Sequence, residues 1–133
     1  GIAVVGHIGL LPQFFRSEGY AVKGKDERSE EALIEDAKAI EKAGAFCIVI
    51  EGVKADVATK ISQAVKVPTI GIGAGSGTDG QVLVWSDMLG LFEDFTPKFV
   101  RQYLEGAKLV KSALSHYTRD VKSGEFPKES ESY

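Results

Sequence analysis

Several residue types are scarce in this chain of 133 residues, and each scarcity excludes a class of protein. The single cysteine, Cys47, excludes an intramolecular disulfide; we interpret it as a small core residue, the alternative being a reactive nucleophile. No apolar run reaches the roughly 18 residues that span a bilayer. Because 16 Lys and Arg are mixed among 19 Asp and Glu, the chain lacks the basic surface that nucleic-acid and membrane binding require.

Methionine is also scarce, since Met88 is the only one and the chain begins inside a strand-like run. We therefore expect the sequence to be part of a longer polypeptide. No secretory signal precedes Ile2, which favours a cytoplasmic location. The hydrophobic share of 44% and the charged share of 26% are ordinary for a globular domain with one core.

Three short apolar runs end in polar residues or glycine. Such runs are typical of parallel strands covered on both faces. In these sheets the catalytic and ligand-binding residues lie at the carboxyl ends of the strands. We expect the residues after the runs to share one site. The runs and the residues that follow them are 2–6 with His7, 46–50 with Glu51, and 67–72 with the glycine-rich segment 73–77.

Apolar residues at helical spacing alternate with these strands. Four strand-then-helix units in succession predict a parallel sheet with right-handed crossovers. The predicted helices follow Ser29 as far as Gly44, cover 55–65, begin at 81–85, and run from Pro97 to 122, and a last strand is predicted at 89–92. The segment 9–27 is a loop too apolar for a plain linker, which favours a functional loop.

The fold class predicted from this order is α/β, and two architectures fit it. Four units are half of a (β/α)8 barrel, which needs on the order of 250 residues when complete. An open sheet would leave edges that the sequence does not protect, so we favour the half-barrel. Residues 1–122 would form the second half of the barrel, and 123–133 a polar carboxyl-terminal tail.

Glu51 and His7 are the candidate site residues. A partly desolvated carboxylate at a strand mouth can act as a base toward a carbon acid, although Glu51 could equally bond a neighbouring strand or a lysine. His7 could bind a substrate carboxylate, a keto oxygen or a metal, or it could only hold the following loop. His116 lies far along the last predicted helix, where we expect a surface or interface position.

The segment 75–80 can be read as the glycine pattern of a dinucleotide-binding turn. The helix predicted after it is short, however, and the preceding strands already follow a repeating order. We favour the other interpretation, in which the glycines let the backbone approach a ligand or adjacent strands closely.

Taken together, these segments resemble the carboxyl-terminal half of the ketopantoate hydroxymethyltransferase family. The resemblance extends over nearly the whole chain. The segments that carry it are 6–10 (GHIGL), 18–24 (EGYAVKG), Glu51, 67–75 (VPTIGIGAG), 78–84 (TDGQVLV), Asp87, 91–92, 97–99 and 123–127 (SGEFP).

The resemblance implies a (β/α)8 barrel in a homo-oligomer. It implies transfer of a hydroxymethyl group from 5,10-methylenetetrahydrofolate to 3-methyl-2-oxobutanoate, giving 2-dehydropantoate in pantothenate biosynthesis. Glu51 matches the family's general base and His7 a residue that contacts the keto acid. A bound Mg²⁺ would polarise the keto oxygen and stabilise the enolate.

The family's metal-binding aspartates and its substrate-binding lysine and serine belong to the first half of the barrel, which this chain lacks. No metal ligand is therefore assigned here, and neither Asp79 nor Asp87 is taken as a replacement. We expect the chain to be inactive alone and to need the missing amino-terminal half as a partner. The alternatives are a non-catalytic fragment that acts by association, or another barrel enzyme that makes or breaks carbon–carbon bonds in 2-oxo acids.

Overall fold

A computed structural model describes residues 1–11, 13 and 21–133, which fall into two compact units, Gly1–Val82 and Leu83–Tyr133. The first unit contains β1 (Val5–Gly9), α1 (Glu27–Lys42), β2 (Cys47–Glu51), α2 (Ala55–Ala64), β3 (Thr69–Ile72) and β4 (Gly80–Gln81). The second unit contains α3 (Trp85–Met88), α4 (Gly106–Ser123) and a 3₁₀ turn (Glu129–Glu131). The proposed division at residue 122 stays a prediction.

The four strands form one parallel sheet in the order β1-β2-β3-β4. This confirms the predicted α/β class and the parallel sheet. Gly9 of β1 lies opposite Glu51 of β2, and Glu51 lies opposite Ile72 of β3. The carboxyl ends of the three longer strands therefore meet at one edge of the sheet.

Helix α1 begins after Asp26, whose side chain accepts a hydrogen bond from a backbone N–H of the first turn. Asp26 Oδ1 accepts a hydrogen bond from the Ser29 backbone N–H at 2.9 Å, and Ser29 Oγ accepts one from the Asp26 N–H at 3.2 Å. Reciprocal bonds of this kind fix the first turn of a helix. The helix predicted at 30–44 is confirmed within three residues at each end, and the helix predicted at 55–65 within one.

The core lies between the sheet and the two helices of the first unit. Ile48 and Ile50 of β2 and Ile61 of α2 have no exposed surface. Each such side chain contributes about 1.5–3 kcal/mol through burial. Since neighbouring residues of a strand point to opposite faces, this packing leaves Cys47, Val49 and Glu51 on the other face of β2. Cys47 is half-buried there, so its predicted place in the core was wrong.

The first strand was predicted at 2–6 but spans Val5–Gly9. The prediction ended the strand where the apolar run met Gly6. Pairing in a sheet uses backbone groups, and β1 continues beside β2 through His7 to Gly9. Gly6 is required within the strand because an added Cβ would overlap the Ile40 side chain of α1. His7 consequently lies in the middle of a strand rather than after it.

The short helix predicted to begin at 81–85 is present but starts only at Trp85, and the strand predicted at 89–92 is wrong. Gly80 and Gln81 pair with Ile70 and Gly71 of β3, and the Val82 N–H donates to the Gly71 carbonyl at 3.0 Å. The segment therefore begins as a strand, not a helix. Residues 89–92, predicted as the last strand, contain a turn and irregular backbone.

The last long helix was predicted to start at Pro97 and starts at Gly106. Residues 97–105 instead run beside the end of α3, where the Tyr103 N–H donates to the Met88 carbonyl at 2.8 Å. The Gly106 N–H donates to the Leu89 carbonyl, which a Cβ on Gly106 would overlap. The end of the helix agrees with the prediction, since Gly124 follows Ser123 with a φ of 76°.

Among the described residues, the helices are all too short or too polar to cross a membrane.

Candidate functional site

The His7 side chain, from the middle of β1, lies beside that of Glu51, the last residue of β2. His7 Nε2 is 3.0 Å from Glu51 Oε2. His7 is opposite Val49, and Glu51 is opposite Gly9, so the two side chains come from adjacent strands two register positions apart. Both project from the face opposite the helices, because Ile8, Ile48 and Ile50 occupy the helix side. The structure thus brings together the two residues that the sequence singled out.

The pair is partly shielded from solvent. The Glu51 side chain is 19% exposed and that of His7 is 35% exposed. The Nε2 atom itself is buried, and no hydrogen-bond partner is aligned with it among the described residues. Nε2 is thus close to the Glu51 carboxylate but can still donate a hydrogen bond to a further group or accept one from it.

Apolar side chains share the sheet face of this pair. Val49 and Cys47 precede Glu51 on β2, and Ile70 and Ile72 occupy β3 at matching register positions. These apolar side chains offer the Glu51 carboxylate no hydrogen bonds, and its side chain is only 19% exposed to water. The arrangement provides one proton acceptor and one imidazole beside a largely apolar surface, which suits removal of a proton from a carbon acid.

The glycine-rich segment after β3 packs on α2. A Cβ on Gly75 would overlap Ala55, and a Cβ on Gly77 would overlap Thr59. The dinucleotide interpretation requires a helix directly after the glycines, but Gly80 and Gln81 form β4. These glycines therefore allow close approach of the backbone, as predicted. The neighbour they approach is helix α2, whereas the sequence predicted a ligand or adjacent strands.

Asp79 is held by Thr69 at the start of β3. Its Oδ2 accepts hydrogen bonds from the Thr69 backbone N–H and hydroxyl, both at 2.8 Å. These two bonds hold the pKa of the Asp79 carboxyl below its ordinary value, and the bond from the backbone N–H has the larger effect. The hydroxyl of Ser62 in α2 lies 2.8 Å from that of Thr69. This network around the buried Thr69 hydroxyl was not predicted; its signal was a threonine inside an apolar run.

The second histidine of the chain lies on the last long helix. His116 is exposed on α4, as expected. Among residues 1–11, 13 and 21–133, no three His, Cys, Asp or Glu side chains are close enough together to hold a metal ion. His7 and Glu51 alone do not make a ligand set for Mg²⁺. The loop residues 12 and 14–20 lie outside the described residues, including Phe14, Phe15 and Tyr20.

The family model described as ketopantoate hydroxymethyltransferase matches residues 1–129 of this chain. The chain belongs to the ketopantoate hydroxymethyltransferase family. The resemblance inferred from the motifs is thereby confirmed. Glu51, His7 and the glycine-rich segment all lie within the matched region.

Curated relatives agree with the family model. The 3-methyl-2-oxobutanoate hydroxymethyltransferase of Sulfurimonas denitrificans is 67% identical over 134 residues, covering 100% of this chain and 51% of the relative. Proteins of the same name from Aliarcobacter butzleri and Wolinella succinogenes are 65% and 62% identical, with 49% and 51% of their lengths covered. The chain thus spans about half the length of these relatives, and the matched half is the carboxyl-terminal one.

Proposed function

We propose that this chain supplies the carboxyl-terminal half of a (β/α)8 barrel enzyme that hydroxymethylates 3-methyl-2-oxobutanoate to 2-dehydropantoate. The supporting observation is the contact of His7 with Glu51, the last residue of β2, in a chain of this family. Barrel enzymes carry their catalytic groups at the carboxyl ends of their strands. The relatives are named for hydroxymethyl transfer to 3-methyl-2-oxobutanoate, which supports this substrate.

Glu51 is the proposed base. Its carboxylate accepts the proton from C3 of the keto acid, and the electron pair of the broken C–H bond moves toward the keto oxygen to give an enolate. C3 of the enolate is then the nucleophile for the one-carbon unit. Val49 and Ile70, which lie opposite each other in β2 and β3, provide the apolar surface for the two methyl groups on C3.

His7 is the proposed contact for the bound keto acid. Nε2 is buried and lacks an aligned partner among the described residues, although it lies 3.0 Å from Glu51 Oε2. A substrate carboxylate or keto oxygen placed above the pair would supply that partner. The same placement would bring C3 near the carboxylate of Glu51.

Completion of the barrel is part of the proposal. β1 is an edge strand, and Val5, His7 and Gly9 alternate with the residues that bond to β2, so their backbone groups face the open edge. The face opposite the helices also bears half-exposed apolar groups, such as Val49 and Ile70. An amino-terminal half would pair with the edge and cover this face. The chain alone is therefore expected to be inactive.

Mg²⁺ and 5,10-methylenetetrahydrofolate belong to the proposal as the cofactor and the one-carbon donor. Mg²⁺ would supply positive charge near the keto oxygen. Since the described residues do not form a ligand set, we propose that its ligands come from the amino-terminal half. Assembly into a homo-oligomer is likewise proposed from the family resemblance.

The experiment is solvent exchange of the C3 proton of 3-methyl-2-oxobutanoate, followed by proton NMR in deuterium oxide with Mg²⁺. The chain is tested alone and after mixing with the amino-terminal half of the Sulfurimonas denitrificans relative. Exchange only in the mixture would support a split enolising enzyme. Its absence from a folded complex would contradict the proposal and leave association as the property of the chain.

Glu51→Gln tests the base directly. In the complemented enzyme the exchange rate should fall by about 100-fold or more, since a positioned base contributes at least that much. Glu31→Gln, which changes an exposed glutamate of α1 in the same way, is the matched control and should leave the rate unchanged. An equal rate in both variants would remove Glu51 from the mechanism.

A further inference from the structure

The backbone of Glu51 is in contact with the last residue of β1. Gly9 lies opposite Glu51 in the sheet and adopts a φ of 94°, a conformation that residues other than glycine rarely adopt. A Cβ built on Gly9 would overlap the Glu51 carbonyl oxygen and would lie 2.7 Å from Val53 Cγ2. Any other residue at position 9 would therefore push against Glu51 or be displaced itself.

Backbone hydrogen bonds hold the same region from two sides. The Leu10 N–H donates to the Glu51 carbonyl oxygen at 2.7 Å, and the Lys23 N–H donates to the Gly52 carbonyl at 2.8 Å. The Lys54 N–H in turn donates to the Lys23 carbonyl at 3.1 Å. The end of β2 is therefore fixed by the two ends of the loop that follows β1, and the Glu51 carbonyl has little room to move.

We propose that Gly9 is a positioning residue for Glu51: by lacking a Cβ, it lets the Glu51 backbone sit where the carboxylate meets His7. This inference rests on the proposed function only for its consequence in catalysis. The carbonyl and carboxylate belong to one residue, so displacing the former moves the latter. The 3.0 Å separation between Glu51 Oε2 and His7 Nε2 would then open.

Gly44 provides a matched control in this chain. Its φ is 96°, nearly that of Gly9, but a Cβ there would have no described atom within 4 Å. Gly44→Ala therefore introduces the same backbone strain without a new contact. The difference between Gly9→Ala and Gly44→Ala isolates the effect of the overlap with Glu51.

The test compares both variants in the enzyme completed with the amino-terminal half. We expect Gly9→Ala to lower kcat for C3 proton exchange about 100-fold with KM unchanged, because a displacement of about 1 Å has this effect on a catalytic group. Gly44→Ala should keep the parent kcat. Equal kcat values for the two variants would overturn the proposal.

A second readout does not depend on activity. The Cε1–H resonance of His7 reports its contact with Glu51, so it should shift in Gly9→Ala in the same direction as in Glu51→Gln, and stay in place in Gly44→Ala. If Glu51→Gln leaves exchange unaltered while the His7 resonance still moves in Gly9→Ala, the proposed base is wrong and the positioning role stands. An unmoved resonance in a folded Gly9→Ala protein overturns the positioning role alone.

Two further variants separate the overlap with Glu51 from the overlap with Val53 and from a failure to fold. Gly9→Ala combined with Val53→Ala relieves the overlap with Val53 but not that with Glu51, so recovery of kcat would contradict the proposal. Replacing Leu10 by its α-hydroxy acid removes the N–H that donates to Glu51 without adding atoms, which covers the case of a Gly9→Ala protein that does not fold. We expect a lower kcat and a shifted His7 resonance, and parent values for both would refute the role of this contact.

Discussion

Replacing Thr69 by valine removes a buried hydroxyl while keeping the shape of the side chain. Thr69 has no exposed surface, and its hydroxyl donates to Asp79 Oδ2 at 2.8 Å. Asp79 retains its bond from the Thr69 backbone N–H, and Ser62 retains its bond to the Ala58 carbonyl. The substitution therefore deletes three hydrogen bonds of this hydroxyl: the one to Asp79 Oδ2, the one it accepts from the Asp79 backbone N–H at 3.3 Å, and the one it shares with Ser62.

The size of the effect follows from these contacts. A typical intramolecular hydrogen bond contributes about 0.5–1.5 kcal/mol, and the added methyl group recovers about 0.8 kcal/mol by burial. Loss of the three bonds of the buried Thr69 hydroxyl should thus lower the free energy of unfolding by about 1–4 kcal/mol at neutral pH. Urea unfolding of the complete protein, followed by circular dichroism, measures this value.

The loss should also depend on pH. The pKa of Asp79 is lowered in the folded chain by its bonds from Thr69, so its contribution to stability is full above the unfolded carboxyl value, about 3.9. That contribution is lost as pH falls through the lower folded pKa. Because Thr69→Val removes one of these bonds, the difference between variant and parent should shrink in acid.

Thr118→Val is the matched control, since Thr118 is exposed on α4 and its hydroxyl bonds only within the helix, to the Leu114 carbonyl. It should change the unfolding free energy by less than about 0.5 kcal/mol. A Thr69→Val loss no larger than this, or one that is constant between neutral and acid pH, would refute the role assigned to the hydroxyl.

Three further outcomes are expected. Asp26→Ala removes the acceptor that caps α1 and should cost about 1 kcal/mol in urea unfolding, whereas full parent stability would contradict the cap. Ile61→Ala opens a cavity at a fully buried position and should cost about 2–5 kcal/mol, and a loss below that of Asp26→Ala would mean that the core repacks. His7→Ala should raise the Kd for 3-methyl-2-oxobutanoate in the complemented enzyme, measured by calorimetry; an unaltered Kd would remove His7 from substrate binding.

The sequence predicted best where one local pattern had one structural meaning. Ile48, Val49 and Ile50 form a branched apolar run that suits a buried strand, and a carboxylate directly after it had to lie at the sheet edge. The contact between Glu51 and His7 was anticipated as a shared site, but its register was not. His7 was placed after its strand because Gly6 was taken as the end of β1.

The failures share a physical cause. β4 consists of Gly80 and Gln81, which pair through backbone groups and the preceding turn, and neither residue type favours a strand. The start of α4 is fixed by contacts of Tyr103 and Gly106 with carbonyls of Met88 and Leu89. Such contacts join residues distant in sequence, so a helical spacing of apolar residues at 99–104 indicated a helix that tertiary hydrogen bonds exclude.

The loop after β1 leaves and returns at neighbouring points, since Leu10 is bonded to Glu51 and Lys23 to Gly52. Its two ends are therefore fixed by main-chain groups, which every amino acid except proline can provide. The side chains at positions 10 and 23 can therefore change while both bonds to the end of β2 remain, and a proline at either position would remove one of them.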